Sequence, residues 1–249
     1  LMVEPDKSLT SSLSFSRNDY VNDLSTGSNS NKDITKSSLN LIFNNQDKFF
    51  SGGANTLSLT GTYGALDLTD NISNYDTDQL TSRTDGEYWK LALNMNRFQR
   101  ITDTFSAAVK FNGQYTDKNL DGAEQLSLGG PSAVRAYPSN EAAGDQGFVS
   151  SLEFNKSFKN RKQFTLFYDY GKIQLHKQPW ENWNSTNTSL KNNYDLHGAG
   201  ITFSIPVFSN FALTATYAKK IGNNPGKDVD GKDVDGLTWG DRSLISLVG

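Results

Sequence analysis

The sequence predicts an antiparallel transmembrane β-barrel of about ten strands, and two observations support this. Apolar and polar residues alternate along most of the chain, which is the pattern of strands with one apolar face. The connections between these patterns alternate in length, as the turns and loops of outer-membrane barrels do. The chain has no run of about 18 apolar residues, so we predict no transmembrane helix.

The composition excludes several other classes of protein. The chain has 249 residues, a net charge of -3 and no cysteine. Without cysteine, a disulfide framework and a thiolate metal site are both impossible. The net charge gives no electrostatic reason to expect nucleic-acid binding. No signal peptide is visible at the start, so we expect a mature form or a fragment.

Ten strand patterns follow one another along the chain, five before and five after one long connection. In the clearest of them, Phe105, Val109 and Phe111 face one way while Lys110 and Asn112 face the other. The ten patterns are Leu9–Phe15, Leu39–Phe43, Leu57–Ala65, Trp89–Met95, Phe105–Tyr115, Phe148–Phe154, Phe164–Tyr170, Ala199–Phe203, Phe211–Tyr217 and a last one from about Ser243.

The connections predict which end of the barrel faces outward. Short links lie around Ile101, Lys159 and Phe208. The long polar links are Asn18–Asp33, Leu68–Glu87, Asp117–Gly147, Gln174–Asp195 and Gly222–Asp241. Because outer-membrane barrels keep their longer loops outside, the first strand begins on the periplasmic side. Aromatic residues near strand ends fit the interfacial girdles of such barrels: Tyr20, Phe49, Tyr88, Tyr115, Phe148, Phe164 and Trp239.

The longest connection carries the candidate functional residues. Loops of this length without regular structure are uncommon unless they are functional or disordered. We predict that it folds back into the barrel with Arg135 near its tip. Asp169 lies in the middle of a strand, on the face predicted to line the lumen, and the guanidinium fork of arginine suits a carboxylate. The pattern alone leaves open that both residues are separately solvated charges.

Two motifs here resemble those of a known superfamily. The tip residues Val134, Arg135, Ala136 and Tyr137 resemble the V-R-G-Y/F motif of the outer-membrane insertase and transporter superfamily. One strand later, Phe167, Asp169 and Gly171 match its F-x-D-x-G motif. The G-D-x-G-F sequence that contains Gly144, Asp145 and Gly147 is most similar to the two-partner secretion transporters of that superfamily.

The resemblance covers the whole chain and implies a function. Barrels of that family have sixteen strands, and the loop between strands eleven and twelve enters the lumen, where its arginine pairs with the strand aspartate. Residues 1–249 then correspond to strands seven to sixteen, with inward loop 117–147, and the periplasmic domains and first strands are absent. The implied protein exports one large exoprotein across the outer membrane as a monomer, is not an enzyme, and needs no cofactor or metal.

Two departures from the family pattern stand out. Ala136 occupies the position of the motif's glycine, and glycine admits backbone conformations that are closed to alanine. Either the tip has a negative φ there or it is strained. The chain also ends at Gly249, where such barrels usually have an aromatic residue. We therefore expect the last strand to be truncated.

Other interpretations remain open from the sequence. One is a self-contained ten-stranded outer-membrane porin, adhesin or surface enzyme, and another is an insertase that folds other barrels. The repeat Lys227–Gly236 has four aspartates but lacks the closing glutamate of an EF-hand, so a solvated loop is favoured over a calcium site. His176 and His197 have no nucleophile motif beside them, which argues against catalysis.

Overall fold

The computed structural model describes residues 6–23, 29–139, 141–187, 190–208, 211–222, 224–226 and 241–248. Ten long strands form one antiparallel sheet in which each strand pairs with its neighbours in the chain, as predicted. These strands are β1 (Lys7–Asp23), β2 (Asn29–Asp47), β3 (Gly53–Asp67), β4 (Gly86–Arg100), β5 (Phe105–Thr116), β8 (Gln146–Ser157), β9 (Gln163–Gln174), β10 (Asn193–Phe208), β11 (Phe211–Ile221) and β12 (Asp241–Val248), and the two short strands β6 (Leu126–Ser127) and β7 (Ala143–Gly144) form a separate pair.

The sheet has an apolar outer face, which is the signature of strands that meet lipid. Side chains that a soluble protein would bury are exposed on nine successive long strands: Leu13, Leu39, Leu57, Leu91, Val109, Leu152, Leu166, Ile201 and Leu213. The inner face carries polar pairs such as Ser38 with Thr62 and Thr202 with Thr216. The predicted fold class is confirmed. No helix in the described ranges is long and apolar enough to cross a membrane.

The first connection was predicted wrongly. Asn18–Asp33 reads as a long polar loop, yet β1 and β2 stay paired from Lys7 opposite Asn45 to Asp23 opposite Asn29. Strand pairing uses backbone groups, so a hairpin that extends into water needs no apolar side chains. The first four strands have 15 to 19 residues and are therefore longer than the bilayer requires.

The connection between β3 and β4 contains a helix that the sequence analysis did not predict. Helix α1 (Ile72–Leu80) begins at Asn71, whose side chain accepts a hydrogen bond from the backbone N–H of Asn74. Within the helix, the side chain of Asp78 accepts hydrogen bonds from the backbone N–H groups of Thr84 and Asp85 and so fixes the return to β4. Of the helix, Tyr75 packs against the small buried cluster of Ile34, Leu66 and Leu68.

One predicted girdle residue lies on the wrong face. Tyr20, Phe49 and Tyr115 are exposed as expected, but Tyr88 is 3% exposed. Tyr88 precedes the outward-facing Trp89 and therefore points inward, where its ring covers Gly64 of β3. Trp239 lies outside the described residues.

The main buried core lies between the long connection and the inner face of β8–β11. The connection contributes Leu128, Val134, Ala136, Tyr137 and Ala142, and the strands contribute Val149, Phe167, Ile173, Leu196 and Ala218, with Tyr194 beside them. Among the described residues, β1 and β12 are the two edges of the sheet. The apolar residues of the connection thus pack on β8–β11.

Candidate functional site

The inward loop is the described segment between Thr116 and Gln146 that leaves β5 and returns to β8. Its two limbs pair as the short strands β6 and β7, with Leu126 opposite Gly144. Beyond them the chain forms a compact tip, where the N–H of Val134 donates to the carbonyl of Leu128 and the N–H of Gly130 donates to that of Tyr137. The loop therefore has its own backbone structure, which holds Arg135 at the tip.

Arg135 forms a two-pronged ion pair with Asp169 of β9. Its Nε donates to Oδ2 at 2.8 Å and its Nη2 donates to Oδ1 at 2.7 Å, while its backbone N–H donates to Oδ2 at 3.1 Å. The Oγ of Ser151 donates to Oδ1 at 2.8 Å. Asp169 is fully buried. A buried carboxylate needs such partners, and the parallel bonds fix the orientation of the tip.

Two further side chains complete the environment of the guanidinium. Its Cζ lies 3.5 Å from the ring centre of Phe167, which is a cation–π contact. Its Nη1 lies 2.9 Å from Oε1 of Glu153 on β8, and Glu153 also pairs with Lys110 of β5. Burial alone would lower the pKa of Arg135, but hydrogen bonds and charge from Asp169 and Glu153 raise it above its ordinary value. The guanidinium stays charged.

The tip fits closely against two glycines of the barrel wall. A Cβ at Gly171 of β9 would overlap Leu128, which explains the glycine of the F-x-D-x-G motif. A Cβ at Gly198 of β10 would lie only 2.6 Å from the Cβ of Ala136. Ala136 is fully buried and has no positive φ. The alanine that departs from the family motif is therefore unstrained, and its methyl group lies against Gly198.

The base of the loop is tied to a neighbouring connection by Asp145. Its carboxylate accepts hydrogen bonds from the backbone N–H groups of Leu120 and Lys177 at 3.0 and 2.7 Å, and from Nε2 of Gln125 at 2.9 Å. Burial raises the pKa of Asp145, although these donors oppose the shift. A Cβ at Gly144 would lie 2.5 Å from the carbonyl oxygen of Gln174. Gly147 was predicted to lie at the base of the loop. It instead lies in β8, opposite Gln114.

The structure thus brings together the predicted residues of the tip and of β9. Sequence reasoning missed Ser151, Glu153 and Gly198, although all three lie on inner faces. The alternation of apolar and polar residues does place Ser151, Glu153 and Gly198 on that face, but not in contact with the tip. Which of them the tip contacts depends on strand register, which the pattern does not give.

The remaining sequence candidates do not join this site. The aspartate repeat Lys227–Gly236 lies outside the described residues. Among the described residues, no group of His, Cys, Asp or Glu side chains could hold a metal ion. His176 packs between Trp180 and Trp183, with ring centres 4.5 and 5.3 Å away, and burial lowers its pKa. His197 contacts Tyr168 on the outer face.

Residues 7–202 match the family model of the haemolysin secretion/activation protein ShlB/FhaC/HecB. The chain belongs to this family. The predicted recognition as a two-partner secretion transporter is confirmed, because the match extends over most of the chain and includes both motifs.

Two curated relatives and one solved structure illustrate the family. The heme/hemopexin transporter protein HuxB of Haemophilus influenzae strain 86-028NP is 31% identical over 130 residues, which are 51% of this chain and 22% of that protein. The outer membrane transporter CdiB of Dickeya dadantii is 30% identical over 166 residues, 65% of this chain and 28% of that protein. The chain therefore spans roughly a quarter of the length of these relatives.

The solved structure of CdiB from Escherichia coli has the same fold. Its TM-score is 0.69 at 17% identity, and the match covers 99% of this chain and 42% of that one. At this identity the similarity concerns the fold alone. It agrees with the antiparallel barrel wall predicted from the alternation of apolar and polar residues.

Proposed function

We propose that this chain is the C-terminal part of an outer-membrane barrel that exports a large exoprotein in two-partner secretion. The barrel is the pore, works as a monomer in the lipid of the outer membrane, and needs no cofactor, metal or nucleic acid. Membership of the haemolysin secretion/activation family supports the function, and the apolar outer face supports the location.

One observation carries the role of the inward loop. Its tip is buried against the inner wall, with Arg135 held by Asp169 at 2.7 and 2.8 Å. A buried ion pair is weak evidence for stability and better evidence for one specific arrangement. We therefore assign to this pair the task of holding the closed state of the pore.

The edges of the sheet support a larger barrel. Within the described residues, β1 and β12 are at opposite ends of the strand order. Unpaired strand edges are not tolerated in lipid, so each edge requires a partner strand. The six additional strands of a sixteen-stranded barrel supply these partners. A self-contained ten-stranded porin instead requires β1 to pair with β12.

The mechanism follows from the space that the loop tip occupies inside the barrel. An exported chain and the docked tip compete for the space along the inner face of β8–β11. Export therefore requires the tip to leave its docked position and to return there afterwards, and the Arg135–Asp169 pair defines that position. The residues move no proton and make no covalent bond in this scheme. Their work is to hold one conformation and to release it.

The test is to replace Arg135 with alanine in the full-length protein. We expect Arg135→Ala to lower exoprotein secretion by about tenfold, because a tip without a fixed docking position stays in the path of the exported chain. The amount of assembled barrel should change little, because the wall folds through its own strand pairing. Secretion is measured in culture supernatants and assembly by heat-modifiable gel migration. Arg83→Ala, at an exposed site on the α1 connection, is the control. Equal loss of secretion and assembly would refute the proposed role of the pair.

A further inference from the structure

The first limb of the inward loop bears two carboxylates that pair with lysines of β2 and β4. Glu124 is 3% exposed, and its Oε1 and Oε2 lie 2.5 Å from Nζ of Lys36 and 2.6 Å from Nζ of Lys90. Beside it, Nζ of Lys32 donates to both oxygens of Asp121 at 2.7 and 2.9 Å. We call Glu124, Lys36 and Lys90 the carboxylate clamp.

The clamp also holds the backbone of the limb. The carbonyl of Glu124 accepts hydrogen bonds from Nζ of Lys90 at 3.1 Å and from Nε2 of Gln114 at 3.0 Å. The side chain of Asp121 accepts from the N–H of Ala123 at 2.9 Å and so caps the short 3-10 turn Gly122–Glu124. The limb therefore presents its carboxylate in a defined orientation.

Strand order places the clamp far from the tip. Lys36 belongs to β2 and Lys90 to β4, so Glu124 bridges these strands across β3. At this point β3 presents Thr62 and Gly64, and the ring of Tyr88 covers Gly64. The tip instead contacts β8–β11. The inward loop is consequently held at two separate parts of the inner wall.

We propose that the carboxylate clamp is a second latch of the inward loop, and that opening the pore requires its release as well as release of Arg135 from Asp169. This inference rests on the proposed function. The limb cannot leave the wall while Glu124 bridges β2 and β4, so a free tip alone leaves the lumen partly occupied. The clamp acts by positioning the loop and contacts no substrate.

A spin label tests whether the clamp holds the limb. The chain has no cysteine, and a Cβ at Gly122 would meet nothing within 4 Å, so a label on Gly122→Cys is specific and unobstructed. In the full-length protein in liposomes, we expect Glu124→Gln to raise the mobile fraction by about tenfold, because two lysines lose their buried counter-charge. Glu181→Gln in an exposed loop is the matched control. Equal mobility in Glu124→Gln and the control overturns the proposal.

A charge exchange distinguishes the loss of an ion pair from a folding defect. We expect Glu124→Lys to free the limb by repelling Lys36 and Lys90, and Glu124→Lys with Lys36→Glu and Lys90→Glu to restore its immobility. A structural lesion would not be repaired by exchanging the charges. Failure of the exchange to restore immobility would count against an electrostatic latch.

A reversible link tests whether release is needed for export. Cysteines at Lys36 and Glu124, joined by a short bis-methanethiosulfonate linker, hold the limb on the wall until a reductant is added. We expect export to fall at least about tenfold when linked and to recover on reduction. Unchanged export in the linked protein would overturn the second latch. Absence of export by the unmodified protein in the same assay would refute the proposed function instead.

Discussion

The tip and the first limb of the inward loop are both held by buried ion pairs, but in different chemical settings. Asp169 is fully buried, and Arg135 reaches it through parallel hydrogen bonds beneath a layer of apolar side chains. Glu124 is nearly as buried, while Lys36 and Lys90 keep 27% and 17% of their side chains exposed, compared with 16% for Arg135. Arginine gives a planar fork, whereas lysine gives a point charge on a flexible stem.

The two attachments therefore differ in how strictly they fix the geometry of the loop. The tip is specific, because its ion pair, its cation–π contact and its fit against glycine all need one geometry. The clamp is more adjustable, because lysine ammonium groups follow a moving carboxylate over a wider range. Removing a partner should therefore disturb the tip most, and changes of solvent should disturb the clamp most.

Removing Asp169 should give the largest effect. Asp169→Ala removes the two-pronged partner of Arg135 and leaves only Glu153, which Arg135 shares with Lys110, so we expect docking of the tip to weaken by about 3 kcal/mol. Hydrogen exchange of backbone amides in residues 130–137 measures this. Asp76→Ala on the exposed face of α1 is the control. Unchanged protection of the tip amides would show that the pair does not hold it.

Filling the space at Gly198 should have the next largest effect. Gly198→Ala places a methyl group 2.6 Å from the Cβ of Ala136, and we expect a cost of about 1–3 kcal/mol for the overpacking. Adding Ala136→Gly should recover most of that loss, because it vacates the same space. The same amides report both steps. Equal protection in the single and double variants would argue that the two residues do not touch.

Acid should release the clamp. Burial alone would raise the pKa of Glu124, but Lys36 and Lys90 more than offset this and lower it from 4.5. A lowered pKa contributes stability above the ordinary value, and that stability is lost as the pH falls through the folded value. The mobile fraction of the Gly122→Cys label should stay constant between pH 7 and 5 and rise below about 4.5. The same acid transition in Glu124→Gln would assign it to another group.

Salt should have the smallest effect and should act mainly on the clamp. Between 0.1 and 1 M salt the screening length falls from about 10 to 3 Å, and the partly exposed ammonium groups of the clamp lose at most about 1 kcal/mol of attraction. We therefore expect a modest rise in the mobility of the limb, while the amides of residues 130–137 stay protected. Loss of protection at the tip in 1 M salt would mean that water reaches the Arg135–Asp169 pair.

Much of this architecture could be predicted from the sequence. The alternation of apolar and polar residues predicts the strands of the barrel wall, because each strand needs an apolar face toward lipid. It also places Asp169 on the inner face. The two motifs give the residues of the tip. The clamp could not be predicted, because it joins Lys36, Lys90 and Glu124 through the path of a loop with no periodicity. Helix α1 and the extended hairpin of β1 and β2 were not predicted either, since both lie beyond the apolar band of the barrel.

A disulfide trap between Ala136→Cys and Gly198→Cys tests the central claim, that the loop tip lies against the inner wall. The chain has no cysteine of its own, so any intramolecular disulfide must join these positions. A small shift brings the two Cβ atoms to the roughly 3.8 Å of a disulfide. In the full-length protein in membranes, we predict near-complete oxidation for this pair and none for Ala136→Cys with Gly61→Cys on β3. Failure of the first pair to oxidise would contradict the placement of the loop inside the barrel.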